Sequence, residues 1–175
     1  MSALTPAVGG HDHASGPADA PVTLVEYGDF ECPYCGQAYP IVRAIQERMG
    51  DRLRFVFRNF PLTESHPHAE HAAEVAEAAG AQGRFWEMHD ALYEHQRALS
   101  DHDLISYAAG LGLDSARVGR ELEEGTFAPK VRSDFRGGVR SGVNGTPTFF
   151  IHGERYDGPW TDPAEFLRAL EAAAR

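Results

Sequence analysis

Two cysteines, three positions apart, are the residues of this sequence best suited to chemistry. Cys32 and Cys35 are the only cysteines among 175 residues, and a bridge between them closes too small a loop to stabilise a domain of this size. The pair therefore indicates either thiol–disulfide exchange or metal binding. Pro33 and Tyr34 stand between the two thiols. Pro33 suits the first turn of a helix, and Tyr34 offers a flat apolar surface beside a nucleophile.

The position of the pair favours exchange. It follows an apolar run at 22–27 and precedes a helical pattern that ends near Gly50. A cysteine at a helix N-terminus has its thiolate stabilised by free backbone N–H groups and by the helix dipole, which lowers its pKa. We therefore expect Cys32, exposed at the turn, to attack disulfides. Cys35, one turn further in, would attack the mixed disulfide and release the substrate.

Half of a zinc site is the main alternative for this cysteine spacing. Zinc would need two further ligands, and the sequence has no second cysteine pair. Nine histidines could supply them, notably His66, His68, His71, His89 and His95. All five of these fall in a region of helical pattern that nothing in the sequence places beside Cys32. We therefore expect no metal here.

Glu26 stands in the middle of the first predicted strand, where an apolar residue is usual. It faces outward on a half-exposed strand, or it is a buried carboxylate beneath the pair that takes the Cys35 proton. In the second case desolvation raises its pKa. The residues alone leave both open. Thr146 and Pro147 precede a later apolar strand, and a trans bond is the local default.

The elements around the pair predict an α/β domain. Strand patterns at 22–27 and 53–58 flank one helix, so the strands should be parallel with a right-handed crossover. From about 64 to 141 the pattern is helical throughout, which indicates an inserted helical subdomain. A strand, a hairpin and a closing helix complete a single domain over 21–175. The Gly-, Pro- and Ala-rich residues 1–20 predict a flexible segment.

Composition excludes several classes of function. A net charge of −10 argues against nucleic-acid binding, and the absence of a run of about 18 apolar residues argues against a membrane-spanning helix. Residues 1–20 lack the basic and apolar regions of a signal peptide. We therefore expect a cytoplasmic monomer, with a periplasmic or other extracytoplasmic location as the alternative if a signal was removed.

Four segments together resemble the DsbA-like branch of the thioredoxin superfamily, over about Pro21 to the C-terminus. They are Cys32-Pro33-Tyr34-Cys35, residues 60–69, residues 82–90 and residues 142–148. The resemblance implies a thioredoxin-like fold with an inserted helical subdomain. It also implies a cis Pro147 beside the disulfide, a Thr146 whose backbone polar groups meet an extended substrate, and a Glu26 that is a buried proton acceptor.

These observations predict a thiol–disulfide oxidoreductase with Cys32, Cys35 and Glu26 as catalytic residues. Protein or small-thiol substrates would bind at Pro33, Tyr34, Thr146 and Pro147. An unknown redox partner would return the cysteine pair to its starting oxidation state. No bound cofactor is needed, because the disulfide carries the electrons. Two alternatives stay open: a redox-sensing binding module, and a glutathione-conjugate isomerase or transferase of the same fold. The latter usually has Ser in place of Cys32.

Overall fold

The computed structural model describes residues 2–175 as one five-stranded sheet with helices on both faces. The strands are β1 (His13–Ser15), β2 (Val22–Gly28), β3 (Leu53–Asn59), β4 (Thr148–Ile151) and β5 (Glu154–Tyr156). The helices are α1 (Pro33–Met49), α2 (Ala69–Ala81), α3 (Phe85–Glu94), α4 (Asp101–Gly110), α5 (Ser115–Glu124), α6 (Ala128–Arg140) and α7 (Pro163–Ala173). No helix within this described part of the chain is long and apolar enough to cross a membrane.

The strand order is β1-β3-β2-β4-β5, and the predicted β2-α1-β3 unit is confirmed. Strands β2 and β3 run parallel, with Val22 opposite Leu53 and Gly28 opposite Asn59. The remaining neighbours pair antiparallel. The chain therefore has the thioredoxin-like fold that the sequence predicts, with α2 to α6 standing between β3 and β4.

Side chains alternate between two apolar cores on the two faces of the sheet, as the period of a strand requires. On β2, Val22 and Leu24 join the larger core, which includes Val42 of α1 and Phe166 of α7. The intervening residues face the smaller core, where Phe135 of α6 packs. Glu26, two residues after Leu24, points to the same face of the sheet as Leu24, which is the face on which α1 lies.

Local capping residues set the ends of α4 and α5. Ser100 begins α4 with a capping box completed by Asp103, as expected where a hydroxyl satisfies a free N–H group. Asp114 begins α5 by accepting from the N–H of Arg117. Gly125 ends α5 at a φ of 64°, a left-handed conformation that favours glycine.

Parts of the segment predicted to be flexible, residues 1–20, lie against the sheet. Strand β1 pairs with β3, with Ala14 opposite Val56. Arg58 of β3 is buried, and its guanidinium binds both carboxylate oxygens of Asp12 at 2.8 and 2.9 Å. A buried charge requires a partner. The segment supplies that partner, and Leu4 also packs against the smaller core.

Candidate active site

Cys32 occupies the N-terminus of α1, as predicted. It is the N-cap residue, Pro33 is the first helical residue, and the N–H of Gly36 donates to the Cys32 carbonyl at 3.0 Å. Tyr34 is 64 % exposed beside it. The expectation that Cys32 itself is exposed is wrong, because only 3 % of its surface meets solvent. The loop at Thr146 covers it: the Cys32 Sγ lies 3.6 Å from the Thr146 carbonyl oxygen.

Hydrogen bonds to its sulfur lower the pKa of Cys32 to about 5. The largest contribution is a hydrogen bond from the Cys35 thiol. The backbone N–H groups of Tyr34 and Cys35 contribute as well, whereas burial opposes the change. These donors stabilise the thiolate, which is the nucleophilic form. At neutral pH Cys32 is therefore ionised.

Cys35 has the opposite character. It is fully buried, and both cysteines are free thiols in this structure. Burial raises the pKa of Cys35 well above its ordinary value, and the nearby charges of Glu26 and Cys32 add to that increase. The N–H of Asp29 donates to the Cys35 sulfur at 3.5 Å. The pair is thus one thiolate and one protonated thiol.

Glu26 faces inward, so the reading of an outward carboxylate is wrong. The side chain is 3 % exposed, and its residue lies between Phe57 of β3 and Phe149 of β4. The Glu26 Oε2 atom has no hydrogen-bond partner among the described residues. Burial, followed by the Cys32 charge, raises the pKa of Glu26 to about 8. The charge of Glu26 in turn contributes to the raised pKa of Cys35.

A glycine makes room for this carboxyl group. A Cβ atom on Gly28 would lie 2.7 Å from the Glu26 Oε2 and 2.5 Å from the Phe57 ring. Both distances are below those of real van der Waals contacts. Gly28 at the end of β2 therefore serves the packing of Glu26 beneath α1.

The loop opposite the cysteines presents Thr146 and Pro147. The bond between them is cis, and both residues are partly exposed. The Thr146 Oγ1 is buried and has no partner among residues 2–175. This arrangement leaves backbone polar groups at the surface next to the Cys32 sulfur.

Sequence reasoning missed the residues that hold the cysteine turn. The buried carboxylate of Asp29 accepts from the N–H groups of Glu31 at 2.8 Å and Leu62 at 2.9 Å. The same carboxylate lies 2.8 Å from the Nδ1 of His66. Asp29 directly follows β2. Its place between the end of a strand and a cysteine pair was the one signal in the sequence that could have identified it.

A glutamine on the helical side also supports the turn. The Gln96 side-chain amide donates to the carbonyl groups of Phe30 and Cys32, both at 2.9 Å. Gly36 leaves the space that the Gln96 amide fills. No local pattern identifies this residue, because 64 positions separate Gln96 from Cys32.

The histidines considered as zinc ligands are dispersed. His66, His71 and His89 each lie beside a different aspartate, Asp29, Asp101 and Asp90 respectively. Within residues 2–175, no group of three or more His, Cys, Asp or Glu side chains could hold a metal ion.

Comparison with known proteins agrees with this geometry. A family model described as thioredoxin matches residues 9–172. The structure of BdbD from Bacillus subtilis is similar with a TM-score of 0.81 and 25 % identity, over 94 % of this chain and 93 % of that one. A thioredoxin-like oxidoreductase from Silicibacter pomeroyi has a TM-score of 0.76 and 26 % identity, over 93 % and 92 % of the two chains.

Curated sequence relatives are longer proteins. The chain is 50 % identical over 162 residues to a Na⁺/H⁺ antiporter, NhaA 1, of Salinispora arenicola, over 93 % of this chain and 24 % of the antiporter. A NhaA antiporter of Herminiimonas arsenicoxydans is 43 % identical, with 94 % and 26 % of the two chains covered. The chain thus spans about a quarter of the length of the curated relatives it matches.

The fold also resembles that of α-DsbA1 from Wolbachia pipientis, with a TM-score of 0.79 at 18 % identity, over 93 % of this chain and 90 % of that one. At that identity the likeness concerns the fold alone. On the family match and this architecture together, the chain belongs to the thioredoxin family and has the fold of its DsbA-like thiol–disulfide oxidoreductases.

Proposed function

We propose that this protein exchanges dithiols and disulfides with protein or small-thiol substrates through Cys32 and Cys35. The observation that carries the proposal is the asymmetry of the two thiols. A single helix turn holds Cys32 with a lowered pKa and Cys35 with a raised one. Exchange requires both pKa values. The Cys32 sulfur must attack and leave readily as a thiolate, and the Cys35 thiol must stay protonated until the mixed disulfide has formed.

The reaction balances without any bound cofactor. The Cys32 thiolate attacks one sulfur of a substrate disulfide, whose S–S bond breaks and releases a substrate thiolate. Cys35 then loses its proton, and its thiolate attacks the Cys32 sulfur. The Cys32–Cys35 bond forms while the second substrate thiolate leaves. Two electrons pass from the cysteine pair to the substrate, and the reverse sequence oxidises a substrate dithiol.

Glu26 is the group that we propose takes the Cys35 proton. Its carboxyl is buried on the face of the sheet where α1 lies, its charge affects the Cys35 thiol, and it has a pKa of about 8. A base with a pKa near the working pH can both accept and return a proton. An exposed carboxylate with an ordinary pKa would be a weaker acceptor at this site.

The substrate surface that we propose is formed by Pro33, Tyr34, Thr146 and Pro147. Pro33 and Tyr34 are exposed beside the Cys32 sulfur, and the cis loop at Thr146 lies across from it. An extended substrate segment could therefore pair with backbone groups of the loop while its disulfide meets Cys32. Tyr34 would cover the apolar part of that segment.

Equilibration with graded glutathione buffers tests the proposal. We expect the pair to exchange with a reduction potential between about −270 mV and about −120 mV, the values of a thioredoxin and of a strong oxidant. A value near the lower end suits the cytoplasm, which is the compartment we propose, and a value near the upper end suits an oxidising one. The Cys35→Ser variant, which cannot close the disulfide, is the control. Failure of the wild-type pair to exchange would disprove the proposed reaction.

A redox-sensing binding module is the second candidate. The relatives of 40 to 50 % identity named as Na⁺/H⁺ antiporters favour it, because a domain joined to a transporter can act through its oxidation state rather than by turnover. Comparing Cys35→Ser with wild type separates the two functions. An enzyme would accumulate mixed disulfides in this variant, whereas a sensor would bind its partner without them.

A further inference from the structure

A cavity of about 320 Å³ leads from the surface between α1 and α3 to the buried carboxyl group of Glu26. Its exposed lining residues are on α1, among them Arg43 and Glu47. Its buried lining residues include Glu26, His89 and Tyr93. The volume has room for several water molecules, and the polar groups needed to hold them are present.

Glu26 has no comparable route to solvent along the sheet. On the two sides within the sheet its neighbours are Phe57 and Phe149, both buried. An acid that accepts a proton from Cys35 in each cycle must also lose it in each cycle. The cavity is therefore the place where that exchange with solvent can occur.

Tyr93 is a buried residue in the lining of the cavity. It is 6 % exposed, and its hydroxyl has no hydrogen-bond partner among residues 2–175. A buried hydroxyl without a partner is costly and calls for a water or a functional neighbour. The ring is held between Tyr39, stacked at 5.4 Å, and Phe30 at 5.0 Å, so the hydroxyl position is set by packing.

We infer that the Tyr93 hydroxyl relays protons between the Glu26 carboxyl group and water in this cavity. The inference rests on the proposed exchange reaction and adds a residue to it. After Glu26 has accepted the Cys35 proton, it passes a proton to the Tyr93 oxygen, which at the same time releases its own proton to a cavity water. One proton leaves the site in each turnover, and no other bond changes. The reverse transfer serves the reverse reaction.

The charges around Tyr93 are consistent with this role. Burial, the charge of Cys35 and the charge of Glu26 raise the pKa of Tyr93 well above its ordinary value, and Asp29 and Cys32 add to that increase. The hydroxyl therefore stays protonated and can act as a donor. On its own helix, burial lowers the pKa of His89, so that ring is neutral and adds no opposing charge. At the cavity mouth Arg43 pairs with Asp90 at 3.0 Å.

Single-turnover oxidation by oxidised glutathione, measured over a range of pH, tests the relay. The variants are Tyr93→Phe, Glu26→Gln and the double variant. Tyr107→Phe is the matched control, because its hydroxyl donates to the Ala98 carbonyl at 2.6 Å away from the cavity. Acid quenching and mass spectrometry separate formation of the mixed disulfide from its resolution by Cys35.

We expect Tyr93→Phe to slow resolution about tenfold near neutral pH, less than the roughly 100-fold loss expected for Glu26→Gln. The deficit should shrink as the pH rises, because hydroxide then removes the proton directly. Formation of the mixed disulfide should be unchanged. In the Glu26→Gln background the Tyr93→Phe change should have no further effect, as for two residues acting in one path.

Two results would overturn the relay. The first is resolution of the mixed disulfide at the wild-type rate in the Tyr93→Phe variant. The second is that Tyr93→Phe slows resolution by the same factor in the wild-type and Glu26→Gln backgrounds. The second result would mean that Tyr93 acts through packing alone. Thermal unfolding of each variant confirms that it is folded. Absence of any mixed disulfide in wild-type protein is a different failure, since it would refute the proposed exchange reaction itself.

Discussion

Replacing Cys35 by alanine tests the origin of the reactive thiolate. The largest cause of the lowered pKa of Cys32 is the hydrogen bond from the Cys35 thiol. Alanine removes this donor and leaves the N-terminus of α1 and the Thr146 loop in place. The pKa of Cys32 should therefore rise, and the remaining donors should keep it below the value of a free cysteine.

The size of the change follows from the strength of one hydrogen bond to a charged atom. Such a bond contributes about 1.5–3 kcal/mol, and 1.36 kcal/mol corresponds to one pH unit. The midpoint of Cys32 ionisation should thus move from about 5 in the wild-type protein upward by about 1–2 pH units. Cys35→Ser is the matched control, because a hydroxyl can still donate, and its midpoint should move less.

The assay is the rate of alkylation by iodoacetamide as a function of pH, with thiolate absorbance near 240 nm as a second reading. In the reduced wild-type protein Cys32 should react first, because Cys35 is fully buried and protonated. Mass spectrometry identifies the alkylated residue. An unchanged midpoint in Cys35→Ala would refute the assignment of the lowered pKa to this hydrogen bond. A wild-type midpoint near 9 would refute the lowered pKa altogether.

Three further predictions concern stability, measured by urea denaturation of the reduced protein. Because the pKa of Glu26 is raised from 4.5 to about 8, the stability it contributes is complete below pH 4.5 and is lost as the pH rises through 8. The free energy of unfolding of the wild-type protein should therefore fall by an amount on the order of a few kcal/mol as the pH rises, and Glu26→Gln should abolish this fall. An equally steep pH dependence of stability in Glu26→Gln would contradict this. Gly28→Ala should destabilise by about 1–3 kcal/mol through contacts with Phe57 and Glu26, and unchanged stability would show that these side chains can move aside. Asp12→Ala should cost about 3 kcal/mol because it leaves the buried Arg58 without its carboxylate, and a loss below 1 kcal/mol would mean that the carbonyl groups of Pro6 and Ala7 suffice.

The sequence alone determined the elements and the identity of the two thiols. Strand β2, helix α1 and strand β3 follow from the period of apolar residues and from Gly50. Ser100, Asp114 and Asp162 begin helices through hydrogen bonds to residues within the first turn. The order of the two thiols, with Cys35 one helical turn further in than Cys32, also follows from chain position. All of these are local properties, because a helix N-terminus is set by residues within one turn.

Tertiary structure decided the surroundings of those thiols. Cys32 is covered by a loop 114 positions away. Glu26 faces inward because it lies on the face of β2 against which α1 and α7 pack. Asp12 reaches Arg58 across 46 positions, which turns a segment of small and polar residues into part of the domain. Tyr93 lines the same cavity as Glu26 because α3 packs on α1. Burial and long-range contact set these pKa values and partners, and both arise only when distant segments pack together.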